Sequence, residues 1–488
     1  MSFNSSPMIH QLRADFEQLL VLVTGPEAHT ATIDQMERSL FRQVLRLGFK
    51  LLQLFVMTRV KAEAHAPLVS RDGAMLAYHS QKPRDYFSIF GKLTFERAYF
   101  YAGGQGGECP LDEGLSLPER CYSDLLMESA ELLGVEGAYS KGLRVVARLL
   151  GLTLPELALE TSVAEHSQTV KAYYAQQAAF PITEEGPILV AQADGKGVPM
   201  VRRETLDVKV RRGKGDKKTR KKEAIASAVY TIEPYERTPQ DVVNALFKKG
   251  DPPPGRPAPH HKQVFASLRG KDQAIKRLAA WAARRDGEHI RERVALTDGA
   301  EPLQKHVLAK LAGFTLVLDI IHADEHLWQA GSAIYGETDP HRAEWVEAQL
   351  LDLLSSRSDQ VIQRLEDKVA TLHRSSQAAK TLRGVANYLR RNQPYMDYAE
   401  YLRRGWPIGT GVIEGTCRHL VKDRMELAGM RWTMSGAGAL LALRAVNENG
   451  DWDAFHAFRR LQRHHRLYGT PMNTIWLEQA ERLEINCF

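Results

Sequence analysis

The sequence predicts an α/β chain: a core sheet split by a helical insertion, preceded by a helical region that contains a β-hairpin. Three observations carry this reading. GPILVAQAD (186–194) and HIRERVALTDGA (289–300) are short apolar runs that lead into an acid and read as buried strands. Residues 338–404 read as wholly helical. Residues 84–103 are rich in aromatic and β-branched side chains around Gly91-Lys92, the pattern of a hairpin.

In chain order, residues 1–83 form an N-terminal helical region, with Leu19, Leu20, Leu45, Leu47, Leu51, Leu52 and Phe55 at helical spacing. The hairpin and a Gly-rich loop fill 84–113. Helical periodicity returns over 114–182, broken at Gly151 and restarted near Pro155, which suits a first helical turn. Within it, 139–177 has the helix, turn and helix of a DNA-binding helix-turn-helix, although two packed core helices would read the same. Residues 183–337 give the first part of the core: strands over GPILVAQAD, GKGVPMVRR, EAIASAVYTIEP and HIRERVALTDGA, a helix over EPLQKHVLAKLAG, and a strand turning into a helix over FTLVLDIIHADEHLW. DPPPGRPAPHHK (251–262) reads as a linker or exposed loop. The insertion occupies 338–404, a final core helix bearing a glutamate lies in 405–455, and 456–488 is a polar, basic tail.

Bulk properties narrow the class. At 488 residues, 44% hydrophobic and 25% charged, the chain is an ordinary globular one of about three domains. The net charge of +6 permits a nucleic-acid partner without demanding one. The four cysteines, Cys109, Cys121, Cys417 and Cys487, are scattered, with no disulfide framework and no zinc-ribbon pair. No signal peptide and no membrane-length apolar run is visible, so the expectation is a cytoplasmic protein without a membrane partner.

The chemistry is carried by acids. Asp194 and Asp298 each follow a strand-like run and each precede a glycine, which puts a carboxylate at the rim of a sheet. Two carboxylates gathered there repel unless a cation lies between them, and Mg²⁺ is the hard, oxygen-seeking ion for that role. A third acid from a helix completes a clamp for two ions in phosphoryl chemistry. Glu414 in GTGVIEGTCRHLVKDRME is the candidate, with Glu426 left open. Each Asp-Gly pair is also readable as a plain turn.

VAQADGKGVPM, ALTDGAE, LDIIHADEHLW and above all RRGWPIGTGVIEGTCRHLVKDRMELAGMRWTMSGAGALLALRAVNENGDWDAF resemble the ISKra group of insertion-sequence transposases. These are DDE enzymes with an RNase H-like core, and the likeness runs from about residue 84 to Phe455. The resemblance implies an RNase H-like fold with Asp194, Asp298 and Glu414 as catalytic acids and ligands of Mg²⁺ or Mn²⁺, two ions in all. The implied reaction is hydrolysis of DNA at the element's ends, then attack of the freed 3′-hydroxyl on target DNA. The implied setting is a homodimer or higher oligomer on double-stranded DNA, nucleoid-associated in a bacterial cytoplasm. A helical insertion accounts for the long interval before the glutamate. Asp319 and His322 resemble the C/D-x-x-H signature of Mutator-like DDE transposases, which implies a supporting role. His322, Glu325 and His326 also fit H-x-x-E-H, an inverted zinc-protease pattern. Relatives often carry cysteine pairs after the hairpin; here only Cys109 remains, which puts a metal at that position in doubt. A binding-only descendant and a nuclease that cuts without joining stay open beside the transposase reading.

DNA contacts are expected first from residues 201–222, where eleven Lys or Arg face three acids. Arg211, Arg212, Lys214, Lys217, Lys218, Arg220, Lys221 and Lys222 lie in that run, and Lys196 precedes it. Such a run tracks phosphates, or else is only a solvated hairpin tip. Arg418, Lys422 and Arg424 on the Glu414 helix are expected to hold the DNA backbone, and Arg431 with Trp432 to stack on an unpaired base. Trp432 as ordinary core is the competing reading.

Overall fold

A computed structural model describes residues 6–70, 73–104, 106–201, 221–250, 255–427 and 429–472. The fold is mixed α/β and divides into two units, one of residues 1–173 with 452–488 and one of residues 174–451. Among the described residues no helix is long and apolar enough to cross a membrane.

The first unit opens with helices Ser6–Thr24 and Ile33–Lys61, the second started by a capping box between Thr32 and Gln35. A four-stranded antiparallel sheet follows: β1 (Leu68–Val69), β2 (Met75–Ser88), β3 (Gly91–Ala102) and β4 (Gly106–Glu108), in that order. The hairpin is longer than its sequence suggested. Pairing runs from Ala77↔Tyr101 to Ser88↔Gly91, so β2 begins well before residue 84 and only two residues turn the chain. Leu93 and Phe95 of β3 pack with Val56 of the second helix, which is why one face of the strand is apolar. Helices Asp124–Glu136, Tyr139–Leu150 and Glu156–Ser167 form a packed group, with Gly151 left-handed (φ 69°) at the turn. The stretch read as a tail begins with a helix, Trp452–Tyr468, that belongs to this unit. Its Arg459 and Arg463 are held by Asp124, and Arg459 and Arg460 by Glu128.

The second unit is built on a five-stranded sheet: β5 (Ile188–Pro199), β6 (Lys221–Ile232), β7 (His260–Ser267), β8 (Glu292–Thr297) and β9 (Thr315–Leu318), in the order β7-β6-β5-β8-β9. β5, β6 and β7 pair antiparallel, while β8 and β9 continue parallel to β5. Strand β7 lies where the sequence suggested a linker running into unassigned chain. Helix Lys271–Arg285, which periodicity had not brought out, follows it and packs on β6. Ile188 to Ala191 are all buried, as a strand covered on both faces requires.

Helices His341–Leu354, Ser358–Ala370, Gln377–Asn392 and Tyr398–Arg403 make up the insertion. They are not a separate body. Leu350, Leu353, Leu382 and Leu389 share one buried cluster with Val190, Leu296 and Val317 of the sheet, so the insertion is part of the core that holds the strands.

One polar group in that core region is under strain. Burial pushes the Asp324 carboxyl up to about 6, and its Oδ1 has no hydrogen-bond partner. Below the ordinary carboxylate range the folded and unfolded forms are both protonated. As pH rises to about 6, the unfolded chain ionises first and folding is penalised. Asp324→Asn should therefore raise the melting temperature above about pH 6, with the gain shrinking as pH falls, as thermal melts across pH would show.

Candidate functional site

Register brings the two aspartates together. Parallel pairing of β5 with β8 ends at Gln192↔Leu296, and two residues further along both chains stand Asp194 and Asp298. Asp298 follows directly on β8, as its sequence context suggested. Asp194 does not end its strand: β5 runs on to Pro199 against β6, with Asp194 opposite Ala226. It marks the point where the parallel neighbour stops, because β6 is long enough to carry β5 past β8.

The surroundings of the pair are tight. Burial pushes the Asp194 carboxyl above the usual carboxylate range, and the charge of Asp298 adds to the shift. Backbone N–H of Gly195 donates to Asp194 Oδ1 at 2.5 Å, and the Cys417 thiol donates to Oδ2 at 3.4 Å. Burial and the same carboxylate push that thiol far up, so it stays neutral. The turn after Asp298 is fixed by Gly299, at φ 85°. A Cβ there would lie 2.7 Å from the Tyr388 hydroxyl and 2.8 Å from Leu318. Tyr388 donates to the Asp298 carbonyl at 3.0 Å, and Arg391 to the Gly299 carbonyl at 2.7 Å. The insertion thus reaches back to hold the aspartate turn.

Asp319 caps helix Ile320–Tyr335 and is fully buried. Oδ1 accepts from the backbone N–H of Ile321 at 3.1 Å and of Thr410 at 3.2 Å. Oδ2 lies 2.6 Å from His322 Nδ1 and 2.7 Å from the Thr410 hydroxyl. That bond to Asp319 raises His322 to about 9 against its partial burial, so its imidazole is protonated at neutral pH. The Thr410 hydroxyl also lies 3.2 Å from Glu414 Oε1, but its one proton serves the shorter contact with Asp319.

Glu414 sits on the short helix Gly411–Thr416 and is exposed. The helix start is tied to the sheet by Gln192, whose side-chain oxygen accepts from Ile413 N–H at 3.0 Å while its amide donates to Tyr230. Ligand atoms of Asp319, His322 and Glu414 all lie within 4.8 Å of one another. The chain then widens into π-helix over Cys417–Lys422, where Asp423 N–H bonds the Arg418 carbonyl. Such widening is frequent at functional sites. Glu426, the other candidate third acid, pairs instead with Lys221 at 2.5 Å.

The zinc-protease pattern does not come together. His322 turns to Asp319, whereas His326 packs at a tilt against the Tyr388 ring, with centroids 3.8 Å apart. Among the described residues, no candidate metal group holds both histidines.

Of the residues expected to contact DNA, Lys196 is half-buried near Cys417, and Lys222, Arg418, Lys422 and Arg431 are exposed. Lys221 is exposed but paired with Glu426. Arg211, Arg212, Lys214, Lys217, Lys218 and Arg220 lie outside the described residues. Two expectations need correcting. Arg424 is fully buried, against Met430 and over the Trp432 ring, so it has no face for a phosphate. Trp432 is core: its indole N–H donates to the Met425 carbonyl, and its backbone bonds Pro199 and Val201. Arg424 and Trp432 serve packing here, whereas Arg431 stays exposed.

Sequence reasoning missed Gln192, Thr410, Tyr388 and Arg391. An amide in the apolar run VAQAD was the one visible signal, since a buried Gln needs partners. The others depend on tertiary contacts.

No protein-family model matches the chain, and no curated protein does. Among solved structures, it is similar to the Drosophila P element transposase strand transfer complex. That likeness has 9% identity, covers 74% of this chain and 86% of that one, and gives a TM-score of 0.21, too slight to carry an argument.

Gly299→Ala should cost on the order of 1–3 kcal/mol through its backbone angle and the Tyr388 clash. Gly313→Ala shares the positive φ with nothing within 4 Å, and should cost less. Denaturant unfolding of the two variants separates the clash from the angle.

Proposed function

We propose that this chain is a DDE-type DNA transposase, which cuts the ends of its element and joins the freed strands to target DNA. The observation that carries the reading is the meeting of Asp194 and Asp298 at the rim of the sheet, where β8 stops and β5 continues. An antiparallel trio of strands extended by two parallel ones supports an RNase H-like core. The acid pair, buried enough to hold the Asp194 carboxyl up, is the donor set that a hard divalent cation relieves. Glu414, exposed on the helix that Gln192 ties to β5, would supply a third oxygen ligand.

Asp194, Asp298 and Glu414 would hold Mg²⁺ or Mn²⁺. Bound there, the ion supplies Lewis acidity at phosphate and eases deprotonation of the attacking hydroxyl. The protein's own part is positioning. Asp319, its four contacts satisfied, fixes Thr410 and hence the start of the Glu414 helix. It also orients His322, whose positive charge at the rim attracts a phosphate. Exposed Arg418 and Lys422 continue that positive surface for duplex DNA.

Strand transfer tests this. A labelled duplex carrying the DNA that borders the coding sequence is incubated with protein, plasmid target and Mg²⁺ or Mn²⁺. Joined products should form with wild type and fall at least about a hundredfold with Asp298→Asn, the loss expected when a metal ligand is removed. Equal joining by both proteins contradicts the acid assignment, and cutting without joining makes the chain a nuclease.

A further inference from the structure

The first unit holds a second cluster of metal-ligating side chains, separate from the acids above. Glu131 lies on helix Asp124–Glu136, His166 on helix Glu156–Ser167 and His456 on helix Trp452–Tyr468. Their ligand atoms all fall within 4.8 Å of one another. His166 Nδ1 stands 2.8 and 2.9 Å from the two oxygens of Glu131. His456 Nε2 is 3.8 Å from Glu131 Oε2.

The cluster is dry. Side-chain exposure is 0% for Glu131, 1% for His456 and 15% for His166. His456 Nε2 has no hydrogen-bond partner, although it is buried and faces a carboxylate. A buried ring nitrogen without a partner is costly, and one that faces a carboxylate already bonded to a second imidazole is placed for a cation that would take all three as ligands. Two histidines and a glutamate are a recognised set of three ligands for zinc, which takes nitrogen and oxygen donors tetrahedrally and would carry a water in the fourth position.

We propose that Glu131, His166 and His456 bind a zinc ion that fastens helix Trp452–Tyr468 to helices Asp124–Glu136 and Glu156–Ser167 of the same unit. The other ring nitrogen of His456 faces charged groups. Nδ1 accepts from Arg459 Nε at 3.2 Å and lies 3.7 Å from Glu128 Oε1. Zinc on Nε2 moves the imidazole proton to Nδ1. Glu128, which already accepts from Arg459 and Arg460, is the nearby carboxylate that would move in to accept it, the arrangement of a carboxylate behind a ligating histidine. Arg459 gives up its contact with the ring but keeps Asp124 and Glu128.

The fastening has a physical use. His166 and His456 belong to one unit but are separated in sequence by the whole of the other, residues 174–451. Pinning segments so distant in sequence removes loop-closure entropy from the unfolded chain, so the bound ion adds to folding stability.

Metal analysis of the full-length protein, purified from zinc-supplemented cells, tests the site. Wild type should carry about one zinc per chain. Asp298→Asn should keep it, while His166→Gln and His456→Gln should each lose it. Chelation should lower the wild-type melting temperature by on the order of a few degrees, with zinc restoring it, and should leave the histidine variants unmoved. Zinc-free wild type that zinc does not stabilise would overturn the proposal, as would full zinc content in both histidine variants. If His456→Gln does not fold, His166→Gln and the chelation melts still decide.

Discussion

The second unit's rim depends on one buried charge. Asp319 is fully buried, and a carboxylate in that position survives only if its oxygens are filled. Its donors come from its own helix start, from His322 one turn on, and from Thr410 far along the chain. Removing any of them leaves that carboxylate less compensated, so this node sets where helix Ile320–Tyr335 begins and where the Glu414 helix starts. The insertion between those two segments can be long because its ends are pinned to the same carboxylate region.

The other constraint is register. Strand β5 has two partners of different length, and the difference leaves Asp194 and Asp298 beside each other at the end of the parallel pairing. Gly299 lets the chain turn sharply there, and the space a side chain would take is filled by Tyr388 and Leu318. Tyr388 and Arg391 come from the insertion, whose leucines also cover the sheet. The same helices therefore build the core and hold the turn that carries an acid.

Much of this architecture is legible in the sequence, because its signals are local. Apolar runs leading into Asp194 and Asp298, the Asp319 run that changes from strand to helix, and the helical stretch after 338 all rest on periodicity and composition. Strand β7 was hidden by the proline-rich stretch before it and by its polar start, His260-His261-Lys262-Gln263. Tail and helix look alike where arginines dominate, and only Asp124 and Glu128, remote in sequence, show why Trp452–Tyr468 packs. Arg424 and Trp432 were misjudged for a related reason. Basic and aromatic residues beside a catalytic motif suggest a ligand, but their partners, Met430, Met425 and Pro199, are seen only once the chain is folded. Lys221 likewise looked like part of a basic run until Glu426 was found against it.

The central claim is that Asp194, Asp298 and Glu414 act as one centre for a divalent cation. Its most direct test is Mn²⁺ binding to the full-length protein, followed by electron paramagnetic resonance, in wild type and in Asp194→Asn and Glu414→Gln. The account predicts that both substitutions weaken binding at least about tenfold, as loss of a charged oxygen ligand should. Wild-type affinity in Glu414→Gln would contradict it, since the exposed glutamate would then stand outside the centre.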